Sequence, residues 1–238
     1  MYFDQQSYDI RCDWGLAGLI HLSPSSDAIV IIDVLSFSTC VDIAVANGAT
    51  VYPYRWRDTS ADVYAASRRA IAASRRQGTG YSLSPASLRR IPPGTRLVLP
   101  SPNGSSLSLS TGAVHTFAGC LRNADAIAQT LPQYGNRFSL IPAGERWPDG
   151  SLRFAVEDLL GAGAIIHHLP GTRSPEAAVA EATCTPPLAE IGFGPIGCHG
   201  HTTSGSPISR APLSRRGSPC SLALRPDISN WNPGCMRK

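Results

Sequence analysis

A single carboxylate, Asp33, follows the apolar run Ala28 to Ile32 and precedes a cluster of hydroxyls at Ser36, Ser38 and Thr39. A carboxylate can hold a divalent cation, and a helix N-terminus lined by hydroxyls favours an anion. A metal site beside an anion site suggests phosphate chemistry. A charged residue is rarely set at the end of an all-apolar strand without a partner. The plainer use of Asp33 is to cap the helix that follows. Ser101, Asn103, Gly104 and Ser105 lie in a second polar loop, which could be a backbone cradle for an oxyanion or an ordinary tight turn. Glu145 and Arg146 sit among turn residues and read equally well as a solvated loop. Glu157 and Asp158 are adjacent at a helix start, where acids complement the dipole by under about 1 kcal/mol each.

Other signatures fail on their chemistry. A phosphatase that attacks through a strand-end Asp wants a second Asp two positions on, and that position is Leu35. Gly104 to Ser108 lacks the final glycine of a nucleophile elbow. Gly192 to Gly197 matches the dinucleotide fingerprint by letter, but no strand precedes it and Pro195 removes a backbone donor. Cys198, His199 and His201 form one cluster without a second half at zinc spacing. His167 and His168 read as a helix end, where they complement the dipole.

The elements that must position these groups follow from the apolar pattern. Ala28 to Ile32 reads as a strand buried on both faces. Ser38 to Asn47 has helical spacing and stops at Asn47-Gly48. Residues 8–14 suggest an entering strand that Trp14 and Gly15 end. Residues 50–54 form a short strand, with Pro53 indicating an edge or a strand end. Ser60 caps a helix expected over 61–77, and residues 81–87 read as loop with a helical turn. Further strands are expected over 95–99, 114–118 and 137–141. Helices are expected from the 105 region to Ser110, from Asn123 to Leu131, over 154–169, and from Ser174-Pro175 to Thr183. This alternation predicts a three-layer α/β/α fold with a mostly parallel central sheet. In such sheets ligands bind beyond the carboxyl ends of the strands, here at Asp33, Ser101, Gly119 and Gly144.

Charge and composition divide the 238 residues. Residues 184–238 hold 6 Lys+Arg and 2 Asp+Glu, while residues 1–183 hold 15 of each. The neutral body offers no basic footprint for nucleic acid. No apolar run approaches the length of a membrane span, and the first residues lack a basic-then-apolar signal pattern, so a cytoplasmic protein is expected. Cys12, Cys40 and Cys120 suggest no disulfide framework. Residues 184–238 also hold 8 of the 20 Pro and 4 of the 7 Cys, with no amphipathic period. The expected organisation is an α/β domain over 1–183 and an irregular or disordered tail over 184–238.

Five stretches together resemble the 2-phosphosulfolactate phosphatase family. They are Ile32 to Thr39, Leu99 to Ser105, Gly119 to Ala124, Ala143 to Arg146 and Glu157 to Gly163, in family order within roughly residues 8–180. The resemblance implies a magnesium-dependent phosphatase acting on a phosphate ester of a small sulfonated or carboxylated hydroxy acid. On that reading Asp33, with Glu157 and Asp158, holds Mg²⁺, and Asp33 and Glu145 carry the catalysis. Whether Asp33 is a covalent nucleophile or only a metal ligand stays open. Ser36, Ser38, Thr39, Ser101, Asn103, Gly104, Ser105 and Asn123 would bind the substrate, and Arg122 or Arg146 its acid group. Many members carry Arg-Ala where this chain has Ser36-Phe37, which removes a guanidinium suited to phosphate or sulfonate. Members also continue beyond the Ala-rich helix with a segment not found here. The change near Cys184 reads as a shifted frame or a foreign ending, and apolar surface left bare would favour instability or a homo-oligomer. A catalytically inactive member that binds a small anion is the alternative; Mg²⁺-dependent phosphate release discriminates the two.

Overall fold

The computed structural model describes residues 4–74 and 80–184. Four strands, β1 (Ile10–Cys12), β2 (Ala28–Ile32), β6 (His115–Gly119) and β7 (Phe138–Pro142), form the main sheet in the order β1-β7-β2-β6, and every pairing is parallel. A second parallel sheet has the order β3-β5-β4, from β3 (Thr50–Tyr54), β4 (Ile71–Ala72) and β5 (Arg96–Pro100). Pro53 does lie on an edge strand, where its missing N–H breaks no ladder on the outer side. Two short strands, β8 (Glu145–Arg146) and β9 (Leu152–Arg153), pair antiparallel as a separate hairpin.

The residues of β2 show why the sheet is covered on both sides. Ala28, Val30 and Ile32 pack into one core with Ile127, Leu131, Ala162, Ile165 and Ala177. These come from α6 (Ala124–Thr130), the turn after it, α7 (Val156–Ile166) and α8 (Pro175–Ala182). Ile29 and Ile31 face the other way, onto Leu19 and Leu22 of α1 (Gly15–Leu22) and Leu107 of α5 (Gly104–Ser108). All five residues of β2 are buried, so the strand needs apolar side chains on both faces rather than alternation. Each large one contributes roughly 1.5–3 kcal/mol of burial. A third core, around Phe37, Leu88, Leu97 and Leu99, joins the second sheet to α2 (Phe37–Ala46) and α4 (Pro85–Leu88).

Two expectations change. The helix expected over 61–77 is α3 (Ser60–Ser67); Arg69 then takes a left-handed φ of 50° and the chain enters β4. Residues 75–77 lie outside the described residues. Helix α1 has no counterpart in the sequence reading. It starts without a side-chain cap, and Gly15 and Gly18 offset its Leu and Ala residues, so it carries no start signal. The tail over 184–238, with Gly192 to Gly197 and the Cys198–His201 cluster, lies beyond the described residues apart from Cys184. No helix among the described residues is long and apolar enough to cross a membrane.

Small residues bring α7 onto the sheet. A Cβ on Gly161 would stand 2.9 Å from both Ile32 Cγ2 and Val34 Cγ2, and one on Gly119 would stand 2.5 Å from Val30 Cγ1. Close approach here carries the first turn of α7 under the loop that follows β2. Because β2, β6 and β7 are parallel, their exits share that edge, with Ile32 opposite both Gly119 and Pro142.

Candidate functional site

Asp33 is buried at the exit of β2, and its carboxylate joins two helix starts. Oδ1 accepts the Phe37 N–H at 3.1 Å, and Oδ2 accepts the Gly104 N–H at 2.9 Å and the Ser101 hydroxyl at 3.3 Å. The capping role is therefore real, and it extends to α5 as well as α2. Gly104 is needed for this approach: a Cβ there would meet Phe37 Cδ1 at 2.3 Å and Asp33 Oδ2 at 2.7 Å. The loop after β5 is thus drawn onto the loop after β2, although they leave different sheets.

Asp158 makes a second buried bridge. Its Oδ1 accepts the Val34 N–H at 2.8 Å and its Oδ2 accepts the Gly144 N–H at 2.9 Å. One carboxylate from α7 so clamps the exits of β2 and β7. Burial pushes the Asp158 pKa up to about 8; the Val34 N–H opposes this, and the nearby Asp33 charge adds to it. Burial also raises the Asp33 pKa, against the Phe37 and Gly104 N–H groups and with help from the Glu145 charge. Glu145 itself stands at the start of the hairpin, and Asn103 Nδ2 donates to its Oε2 at 3.0 Å. Asp33, Asp158 and Glu145 thus form one acidic group, drawn from two strand exits and a helix.

The remaining predicted residues divide by what their polar atoms already do. Ser38 donates to the Ile31 carbonyl and accepts from the Asp33 N–H. Thr39 donates to the Val34 carbonyl, Ser36 to Leu83 and Ser105 to Leu99. A hydroxyl has one proton to give. In this arrangement those four protons brace the loops. Asn123 accepts from the Cys120 N–H and donates to the Ala118 carbonyl, which makes it a structural cap. The Arg122 guanidinium pairs with Asp42 of α2 at 3.0 Å. Nearby, a cavity of about 70 Å³ between α2 and α6 includes Asp42 and Asn123 in its lining but none of the acidic group. Arg146 is exposed and donates to the Gly150 carbonyl, closing the hairpin turn. Glu157 is half-buried beside Asp158, whose pKa it helps to raise.

Magnesium prefers oxygen ligands, keeps several waters, and is commonly held by one or two carboxylates. Asp33 and Asp158 fit that demand. Both are buried, each retains lone pairs beyond its N–H contacts, and a cation would relieve their repulsion. Among the described residues no group of three or more His, Cys, Asp or Glu could hold a metal ion. A pair of buried carboxylates with waters completing the shell is an arrangement this ion accepts.

The hairpin contributes residues that the sequence reading did not single out. Arg153 lies directly opposite Glu145 in the antiparallel register, and its guanidinium lies over the Trp147 ring at 5.8 Å. The signal was present in Asp149-Gly150, a turn dipeptide between the two strand fragments, with Gly150 at φ 84°. Compared with known protein families, residues 17–186 match the model described as 2-phosphosulpholactate phosphatase. No curated protein matches the chain.

Proposed function

We propose, from the premise that this chain belongs to the 2-phosphosulpholactate phosphatase family, that it hydrolyses the phosphate ester of a small sulfonated or carboxylated hydroxy acid in a magnesium-dependent reaction. The observation that carries the reading is the convergence of Asp33, Asp158 and Glu145 where the loops after β2, β5 and β7 meet. Asp33 and Asp158 would hold the ion. When bound, it supplies a positive charge that neutralises phosphoryl oxygens and lowers the pKa of a bound water.

The chain's own residues divide the remaining work. Glu145, half-exposed and held by Asn103, would take a proton from the attacking water. The water oxygen forms a bond to phosphorus, and the phosphorus–oxygen ester bond breaks with its electron pair on the alcohol oxygen. That oxygen takes up a proton from solvent, Glu145 returns its own to solvent, and the products are the hydroxy acid and inorganic phosphate. Ser101, Asn103 and Gly104 form the wall on which the phosphoryl group rests. Their rigidity comes from the Asp33 bridge, so little reorganisation is needed during reaction.

Phosphate release from 2-phospho-3-sulfolactate and from an aryl phosphate, with and without Mg²⁺, tests this reading. Release that needs Mg²⁺ supports it. Anion-dependent thermal stabilisation without any turnover would replace it with the anion-binding alternative.

A further inference from the structure

We propose that Arg153 is the cation that receives the second acid group of the substrate, the carboxylate or sulfonate left after the phosphate is placed. The inference rests on the phosphatase reading above and adds a specificity determinant to it.

The hairpin geometry selects this arginine. Residues directly opposite in an antiparallel pair project from the same face, with Cβ atoms about 4.5–5.5 Å apart. Glu145 is opposite Arg153, and Arg146 is opposite Leu152. Trp147 lies two residues after Glu145 and so continues its face. Glu145, Trp147 and Arg153 therefore share one side of the hairpin, the side that reaches Asn103 and the acidic group. Leu152 marks the other side. Its Cδ1 is the nearest atom to where a Cβ on Gly15 would be, 3.4 Å away. Arg146, on that side, turns back to the Gly150 carbonyl.

Arg153 is also close and available. A Cβ on Gly144, the residue whose N–H is held by Asp158, would stand 2.7 Å from Leu152 Cδ1 and 2.8 Å from the Arg153 backbone carbonyl, so the hairpin backbone lies against the β7 exit. Among the described residues the ion pairs join Arg122 to Asp42, and His167 and Arg173 to Glu181, so no carboxylate in the described fold pairs with Arg153. Stacking on Trp147 restrains the planar guanidinium while leaving its N–H edge to donate. A fixed fork of N–H donors suits a planar carboxylate or two sulfonate oxygens. Acid groups already crowd the reaction centre, so a substrate with two or three negative charges needs a cation on its distal side. Arg153 supplies it at a distance set by the hairpin.

The test compares wild type, Arg153→Gln and Arg153→Lys on two probes with Mg²⁺: 2-phospho-3-sulfolactate, and an aryl phosphate with no second acid. For Arg153→Gln, KM for the diacidic ester should rise roughly 10–100-fold, the loss of one charge-assisted pair, with kcat little changed. KM for the aryl phosphate should stay within about twofold, and Arg153→Lys should recover part of the loss. Equal effects on both probes, or none on either, would overturn the proposal. If wild type turned over neither probe, the phosphatase reading would fail first. Stabilisation of wild type by sulfolactate, lost in Arg153→Gln, would still support the acid-binding role of Arg153; equal stabilisation of both proteins would refute it.

Discussion

The Gly104 N–H reaches the Asp33 carboxylate at 2.9 Å, across 71 positions of chain and between two separate sheets. This contact turns the end of one apolar strand into a site. Asp33 alone could satisfy α2; by also satisfying α5 it fixes where Ser101 and Asn103 stand, and Asn103 in turn fixes Glu145.

Gly104→Ala should therefore damage the site more than its size suggests. The new methyl would meet both the Phe37 ring and Asp33 Oδ2. Overpacking of this kind costs about 1–3 kcal/mol. The expected result is a lower denaturant midpoint together with a loss of turnover larger than that of Gly163→Ala. That control would also clash, with the Ala180 carbonyl at 2.1 Å, but where α7 meets α8. Chemical denaturation and phosphate-release assays on both variants check this.

The Asp158 clamp predicts a pH dependence of stability in the metal-free protein. Its pKa rises from an ordinary 3.8 to about 8 in the fold. As pH rises between these values the unfolded chain gives up the proton before the folded chain does, so stability falls. The contribution is fully present below the ordinary value and is lost as pH rises through the folded one. Thermal melts in chelator should drop between roughly pH 4 and 8 and level off above that, and Mg²⁺ should raise the midpoint most at the alkaline end.

Asp158→Asn should flatten that profile. Its amide can present an oxygen to Val34 or to Gly144 but not to both, leaving one N–H unmet at a cost of about 1–3 kcal/mol. The variant should melt lower than wild type at acid pH, with the gap closing towards alkaline pH. A constant gap across the range would remove the charge from the explanation.

Asn103 offers a test of Glu145 through its orienting partner. Asn103→Ala removes the only side-chain donor described for the Glu145 carboxylate. Turnover should fall roughly tenfold, as for one hydrogen bond to a charged group, and KM should rise with it because Asn103 also lines the phosphoryl wall. Asn103→Asp should be worse, because it sets a second negative charge against Glu145. Steady-state kinetics separate these outcomes.

The central parts of this design were legible because they rest on strong local patterns. Ala28 to Ile32 is apolar without interruption, Asn47-Gly48 stops α2 with Gly48 at φ 82°, and Ser174 caps α8 by accepting the Ala177 N–H. The site was less legible. A run of Ser and Thr after a strand does not reveal which main-chain carbonyls its hydroxyls hold, as Ser38, Thr39 and Ser105 do at their own or a neighbouring exit. Adjacent helix residues point about 100° apart, so of Glu157 and Asp158 only the second enters the interior. The two-residue strands of the hairpin are too short to show a period, which hid the pairing of Glu145 with Arg153.

The most direct measurement is Mg²⁺-dependent phosphate release by Asp33→Asn beside wild type, on the same phosphoester. The account predicts release by wild type and a loss of at least about a thousandfold in the variant, as for removal of a principal charged group at a reaction centre. Turnover by Asp33→Asn at the wild-type rate would contradict it, because the residue that ties the two loops together would then have no part in the chemistry.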